Sequence, residues 1–367
     1  MKPLKVAVVG AGHLGKIHAR LLPQLASVEL VAVADPSPMA QKQILEEHDV
    51  QVISDFRKLI GQIDAAVVAT PTRFHHAIAM ELLQNGIHTL IEKPVTDCSQ
   101  DAMELVETAE QNNCVLSVGH VEQFNPAIRT AIEKVGVPKF VQATRMSGYT
   151  YRSIDIGVVY DLMIHDIDLV NTMFPGELVD CRAAGFSIFG GNEDMAQARL
   201  QFSCGGIANL TASRASFAPT REMQLFGTSG FAAVDLVTRE VQSIEVPDWI
   251  SQRTFNFLEA SPDQQAFVRE ELFSEVLPRQ EETVEANNAI LAEQEDWIEA
   301  IQSGRPLRNT GINGAAAVDI AAHVLQQIEQ HQWAAGKAAG PLMTPDSRPA
   351  SDRAIPSMLR DAQPDAA

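Results

Sequence analysis

Residues 6–15 read Val-Ala-Val-Val-Gly-Ala-Gly-His-Leu-Gly, an apolar run that passes directly into a turn with three glycines. This pattern predicts a buried strand, a tight turn and a helix that begins near Leu14. A second apolar run over residues 29–34 ends at Asp35, about twenty residues after the turn. In such a unit the glycines let the backbone approach a pyrophosphate, and the acid accepts the hydroxyls of a ribose. The stretch therefore predicts a dinucleotide site.

Two other interpretations of the turn have to be weighed. An unliganded strand-to-helix turn can carry the same glycines. Residues 10–16 also match the start of a mononucleotide phosphate loop, but Ile17 lacks the hydroxyl that such a loop needs to hold magnesium. We prefer the dinucleotide site, and the residues assigned to it here are Gly10, Gly12, His13, Leu14, Gly15 and Asp35.

The composition is that of an ordinary globular protein with room for two domains, at 367 residues and 46% hydrophobic content. We expect no membrane helix and no signal peptide, because no apolar run is long enough and the first strand starts almost at once. A formal net charge of −19 argues against nucleic acid and anionic membrane as partners. The four cysteines show no close pairing, which argues against a zinc site and a disulfide framework and predicts a reduced, cytoplasmic protein.

Strand and helix patterns alternate up to about residue 120, after which strands follow one another with few helices. The sequence therefore predicts an α/β protein: an N-terminal Rossmann domain with a doubly wound parallel sheet, then a C-terminal α/β domain with an open, mostly antiparallel sheet. The predicted domains are 1–122 and 123–334. Residues 335–367 are expected to form a disordered tail, or an arm that orders against a partner subunit.

Three helical regions are predicted in the second domain. They are a helix over residues 161–173, an acidic region over 261–302 whose apolar stripe contains Trp297, Ile298 and Ile301, and a last helix over 314–330.

Two stretches carry side chains suited to chemistry. Lys93 directly follows a predicted parallel strand, so it lies at the carboxyl edge of the sheet, where ligands bind in such folds. On a helix, Asp161 and His165 are four residues apart and share one face. His165 is the natural proton acceptor, because the ordinary pKa of histidine is close to neutrality.

Plainer interpretations exist for each of these residues. Lys93 alone would be read as a surface lysine. His165 with Asp168 suggests a pair of metal ligands, but no third ligand has convincing spacing, so no metal is expected. His75 begins a predicted helix and is either a packing residue or a contact of cofactor or substrate. His18 is expected to pack beneath the glycine turn.

Four motifs in order resemble the glucose-fructose oxidoreductase / inositol dehydrogenase / MocA family. They are the glycine turn with His18, Ala69-Thr70-Pro71 with His75, Glu92-Lys93-Pro94, and the D-x-x-x-H of Asp161 and His165. The resemblance implies an NAD(P)-binding domain and a second domain whose open sheet often forms an oligomer interface, here of a homodimer or homotetramer. It also implies hydride transfer between a sugar carbon and nicotinamide, with Lys93, Asp161 and His165 as the catalytic set. The further cofactor contacts that we assign are Thr70, Pro71, His75, Glu92 and Lys93.

Within the family, residues 118–126 and 155–161 look most like members that oxidise UDP-N-acetylglucosamine at C3. Our hypothesis is an NAD-dependent dehydrogenase acting on a UDP-N-acetylhexosamine, with NADP less suited because no arginine stands near Asp35. Arg145 and Arg152 are candidate clamps for the diphosphate. The alternatives are an inositol, free-sugar or dihydrodiol dehydrogenase, and a non-catalytic dinucleotide sensor. The predicted substrate contacts are Lys93, His120, Arg145, Arg152, Asp161 and His165.

Overall fold

The fold is described from a computed structural model that covers residues 2–150, 156–189 and 191–331. The predictions for Arg152 and for the tail over residues 335–367 lie outside these described residues. None of the helices in the described ranges is long and apolar enough to cross a membrane.

The N-terminal part forms a parallel sheet with helices between its strands. Its strands are Leu4–Val9 (β1), Val28–Ala34 (β2), Gln51–Ile53 (β3), Ala65–Val68 (β4), His88–Glu92 (β5) and Leu116–Gly119 (β6), and its helices are His13–Leu21 (α1), Pro38–Glu47 (α2), His75–Gln84 (α3) and Ser99–Gln111 (α4). The strand order is β3-β2-β1-β4-β5-β6, so the direction of winding reverses between β1 and β4. A ligand crevice forms at such a reversal, outside the carboxyl ends of the strands. The predicted doubly wound Rossmann sheet is confirmed.

The C-terminal part forms a second, larger sheet. Its strands are Phe140–Met146 (β7), Leu178–Phe186 (β8), Met195–Phe202 (β9), Ile207–Ser213 (β10), Thr220–Phe226 (β11), Gly230–Asp235 (β12), Glu240–Glu245 (β13) and Arg279–Thr283 (β14), and the helices of this part are Pro126–Val135 (α5), Ile164–Met173 (α6), Asp248–Ser251 (α7), Pro262–Glu270 (α8), Ala289–Ser303 (α9) and Gly311–Gln330 (α10). The order is β14-β13-β12-β11-β7-β10-β9-β8, and all neighbours are antiparallel except β7 and β10. This confirms the predicted open, mostly antiparallel sheet.

The core has two layers, because β1 alternates its side chains between the two faces of the first sheet. Ala7 and Val9 lie in a large apolar cluster that continues into the second sheet. Val6 and Val8 lie in a smaller cluster with Trp297 of α9. Helix α9 therefore returns from the C-terminal part to cover the first sheet. A single domain boundary near residue 122 describes only part of this arrangement.

The acidic region over residues 261–302 is not one helical segment, so that part of the sequence prediction is wrong. Between α8 and α9 the chain forms a π-helical turn, Leu272–Val276, and then strand β14. All residues of β14 are exposed, and it pairs with β13 at the edge of the sheet. An exposed edge strand buries neither face, so its sequence lacks the alternation that would have revealed it. The predicted apolar stripe on α9 is confirmed, since Trp297, Ile298 and Ile301 all pack in the smaller cluster.

Candidate active site

The three glycines of the turn have different surroundings. A Cβ on Gly10 would lie 2.5 Å from Ala69 O, and one on Gly15 would lie 2.0 Å from Gly10 O, so backbone packing excludes a side chain at both positions. Gly10 also has a φ of 103°, which other residues rarely adopt. A Cβ on Gly12 would meet no atom within 4 Å. The backbone is therefore open to a ligand at Gly12, the N-cap of α1, as a bound pyrophosphate requires.

Asp35 lies beside this turn and is oriented by backbone amides. Its Oδ2 accepts a hydrogen bond of 2.8 Å from Ala11 N, and its Oδ1 accepts one of 2.8 Å from Ser37 N. The carboxylate at the end of β2 is thus held next to the glycine turn. This is the arrangement in which an acid can accept hydroxyls of an adenosine ribose, so the residues present fit a dinucleotide.

His75 joins two loops at the carboxyl edge of the first sheet. Its Nδ1 lies 2.9 Å from Pro94 O and its Nε2 lies 2.7 Å from Thr70 O, and only 1% of the residue is exposed. Because both ring nitrogens face backbone carbonyls, these contacts favour a packing role over the predicted cofactor contact. The Thr70 hydroxyl, by contrast, is buried with no hydrogen-bond partner among the described residues. It is a polar group that a ligand in the crevice can satisfy.

Lys93 reaches across to the segment that carries Asp161. Its Nζ donates a hydrogen bond of 2.7 Å to the Asp161 carbonyl oxygen and lies 3.8 Å from Asp161 Oδ1. Burial lowers the pKa of Lys93, and the negative charge of Asp161 partly opposes this effect. Asp161 lies in a π-helical turn, Val159–Met163, which precedes α6. The predicted helix over 161–173 is therefore π-helical in its first part, so the expected α-helical spacing of Asp161 and His165 is corrected; such turns are frequent at functional sites.

Two histidines lie within electrostatic reach of Lys93. His165 is at the start of α6, and its pKa is lowered well below the ordinary value by burial and then by the charge of Lys93. Burial, with the same lysine, lowers the pKa of His120 to about 3. Nδ1 of His165 and both ring nitrogens of His120 are buried without hydrogen-bond partners in the described part of the chain. Both rings are therefore neutral at physiological pH, and a neutral imidazole can accept a proton.

Arg145 makes contacts that do not suit its predicted role as a diphosphate clamp. Its Nη1 donates to Glu122 Oε1 at 2.8 Å and its Nη2 donates to Asp166 Oδ1 at 2.8 Å, while only 3% of the residue is exposed. Although burial alone would lower it, the pKa of Arg145 is raised by these two carboxylates. The guanidinium thus joins β7 to α6 inside the protein and is not presented to a ligand. The prediction for Arg145 is corrected on these contacts.

A line of buried polar residues behind the site was missed by the sequence analysis. His18 is fully buried as expected, and its Nε2 lies 2.7 Å from Glu92 Oε1. Glu92, which we assigned to the cofactor, is only 5% exposed, and one of its carboxylate oxygens is already engaged by His18. Gln294 of α9 contacts the other nitrogen of His18. The available signal was that Gln294 lies four residues before Ile298, on the apolar face of α9.

A glycine turn with its acid, and a lysine that contacts an aspartate within electrostatic reach of two buried histidines, lie at the carboxyl edge of one parallel sheet. Together they define the class: a dinucleotide-dependent oxidoreductase. Residues 4–120 match the oxidoreductase family with an NAD-binding Rossmann fold, and residues 129–233 match the GFO/IDH/MocA C-terminal domain. The chain belongs to this Gfo/Idh/MocA family of NAD-binding dehydrogenases.

Relatives of known activity cover nearly the whole chain. UDP-N-acetylglucosamine 3-dehydrogenase of Acidithiobacillus ferrooxidans is 31% identical over 327 residues, which are 89% of this chain and 97% of that protein. A solved structure of that enzyme matches with a TM-score of 0.78 and 29% identity, covering 90% of this chain and 99% of that one. Inositol 2-dehydrogenase of Rhizobium meliloti is 25% identical, over 89% of this chain and 97% of that protein.

Proposed function

We propose that the protein oxidises a UDP-N-acetylhexosamine at C3 of the sugar ring with NAD as the hydride acceptor. The observation that carries this proposal is the contact of Lys93 with Asp161 beside two neutral histidines, at the carboxyl edge of the NAD-binding sheet. The sugar nucleotide is supported by the 31% identity to a UDP-N-acetylglucosamine 3-dehydrogenase over 97% of that relative.

The site residues can divide the work of oxidising a hydroxyl group. The glycine turn and Asp35 would hold NAD, which supplies a hydride acceptor when bound. His165 accepts the hydroxyl proton as the carbon gives up its hydride, because its lowered pKa keeps it neutral. Lys93 donates a hydrogen bond to the reacting oxygen, and Asp161 holds the ammonium group in place. His120 is buried within electrostatic reach of Lys93.

The substrate assignment predicts NADH formation from UDP-N-acetylglucosamine. Incubation with NAD should yield a nucleotide sugar that has lost a pair of hydrogens, detected by mass spectrometry, and UDP alone should inhibit competitively. If free inositol or glucose is oxidised well while UDP-sugars neither react nor inhibit, the protein is instead a polyol or free-sugar dehydrogenase of the family. If no nucleotide sugar or polyol yields NADH, a non-catalytic dinucleotide sensor is the better interpretation.

Cofactor choice depends on Asp35. A 2′-phosphate on the adenosine ribose would stand against this carboxylate, which backbone amides fix in place. We expect NAD to bind about ten-fold or more tightly than NADP, and Asp35→Ser to narrow that difference. Fluorescence titration with each cofactor measures the two affinities. The control is Asp49→Ser, which replaces an exposed acid that follows α2. Equal or tighter binding of NADP to the unaltered protein would contradict the assignment.

We also propose a homodimer or homotetramer that uses the open face of the second sheet. The support for this proposal is strand β9, whose residues alternate between buried and exposed along its length, so that one face of the sheet is exposed there. Its exposed side chains include Gln197, Arg199 and Gln201.

A further inference from the structure

Helix α9 inserts an amide side chain into the interior behind the end of β5, next to Lys93. Gln294 and His18 are both fully buried, and Gln294 Nε2 lies 2.7 Å from His18 Nδ1. On the other side of the ring, His18 Nε2 lies 2.7 Å from Glu92 Oε1. Three side chains thus form a continuous line from α9 through α1 to the end of β5.

The chemistry of these groups decides which atom donates and which accepts in each of the two hydrogen bonds. An amide nitrogen can only donate a hydrogen bond, so His18 Nδ1 must be the acceptor in its contact with Gln294. A neutral imidazole that accepts at Nδ1 carries its hydrogen on Nε2. His18 Nε2 then donates to the Glu92 carboxylate, which can only accept when ionised. Gln294 and Glu92 therefore require the same tautomer of His18, with the hydrogen on Nε2.

Glu92 lies at the carboxyl ends of the neighbouring strands β5 and β6. It is the last residue of β5 and directly precedes Lys93. Its other oxygen is packed against β6, since a Cβ on Gly119 would lie 2.9 Å from Glu92 Oε2. Gly119 directly precedes His120. The orientation of one carboxylate is therefore coupled to the backbone that carries both Lys93 and His120.

We propose that Gln294 is a positioning residue for Lys93, acting by holding His18 in the Nε2–H tautomer that anchors Glu92. Gln294 does not contact the reacting groups. It acts through two intervening side chains, and it comes from a helix far away in the sequence. The effect on turnover rests on the proposed function, whereas the tautomer of His18 does not depend on any substrate.

The test is nitrogen NMR of the full-length protein with ¹⁵N-labelled histidine. This measurement distinguishes the two neutral tautomers from each other and from the doubly protonated ring. The His18 signals are assigned by their loss in His18→Gln. We expect the Nε2–H tautomer in the unaltered protein. Gln294→Leu, which removes the hydrogen bond to Nδ1, takes away one of the two contacts that fix the tautomer and should shift the Nδ1 signal. Gln294→Glu, which presents a carboxylate acceptor to Nδ1, should give a doubly protonated ring.

Turnover provides the second measurement. In Gln294→Leu we expect kcat to fall about ten- to a hundred-fold with little change in KM for NAD, because a small displacement of a catalytic group is costly and the glycine turn and Asp35 lie elsewhere. Gln302→Leu is the matched control. It removes an amide on the same helix that donates to Ser27 O at 3.4 Å, away from Lys93, and should leave both kcat and the His18 signals unchanged.

Two results would overturn the proposal. One is a His18 ring in the unaltered protein that is doubly protonated or carries its only hydrogen on Nδ1. The other is an unchanged His18 signal in Gln294→Leu. If Gln294→Leu fails to fold, the isosteric Gln294→Glu and the spectrum of the unaltered protein still decide the question. A failure of UDP-sugars to react leaves the NMR result standing and rejects the substrate assignment alone.

Discussion

Lys93→Ala and His165→Ala should each lower kcat by about a hundred-fold or more while leaving the binding of NAD nearly unchanged. The loss is expected because Lys93 is the cation that contacts Asp161 and His165 is a neutral ring beside it, whereas the glycine turn and Asp35 lie elsewhere in the crevice. Steady-state kinetics with UDP-N-acetylglucosamine and a separate NAD titration measure the two effects.

Surface residues of the same types provide the controls for these variants. Lys58→Ala removes an exposed lysine, and His76→Ala removes a histidine whose Nε2 is paired with Glu104 at the surface. Both should retain full turnover. Unchanged kcat in Lys93→Ala and His165→Ala would reject the catalytic assignment. Loss of NAD binding in both would instead indicate that the two residues support the fold of the crevice.

Arg145→Ala should lower the free energy of unfolding by about 3–5 kcal/mol, because it leaves buried carboxylates without their counter-charge. Glu122 and Asp166 each lie 2.8 Å from the Arg145 guanidinium, and both are buried, so water cannot easily replace the arginine. Urea denaturation followed by circular dichroism measures the change.

Arg57→Ala is the matched comparison for this effect. Arg57 pairs with Glu81 on the surface, where such a pair contributes at most about 1 kcal/mol. The sequence-based interpretation of Arg145 makes the opposite prediction. If Arg145→Ala keeps its stability and instead raises KM for the nucleotide sugar strongly, Arg145 binds the diphosphate and the structural role is wrong.

The elements of the first sheet could be predicted because their signals are local. The run of β4 over residues 65–68 is apolar throughout, and all its residues are buried, as parallel strands between two layers of helices require. Gly86 follows shortly after the end of α3, and its φ of 75° is one that glycine adopts most readily. The edge strand β14 and the π-helical turn before α6 have no comparable signal, since neither leaves an apolar periodicity in the sequence.

Only part of the candidate site could be predicted from such local signals. The motifs singled out Lys93, Asp161 and His165, and the structure brings the first two into contact. Arg145 was read as a phosphate ligand because arginine is the usual residue for that task. Its carboxylate partners belong to α6 and to the segment after β6, and no spacing rule connects them to β7.

The amino-acid sequence by itself determined the NAD-binding sheet, the antiparallel second sheet, the family and the residues of the glycine turn. Those features depend on periodicity and on backbone conformation, which neighbouring residues decide. Only the tertiary structure decided that α9 covers the first sheet, that Arg145 is enclosed by two acids and that Gln294 orients His18. The last two residues are 276 positions apart. A buried charge or amide takes its partner from whatever the folded chain places beside it, and burial then makes that partner obligatory.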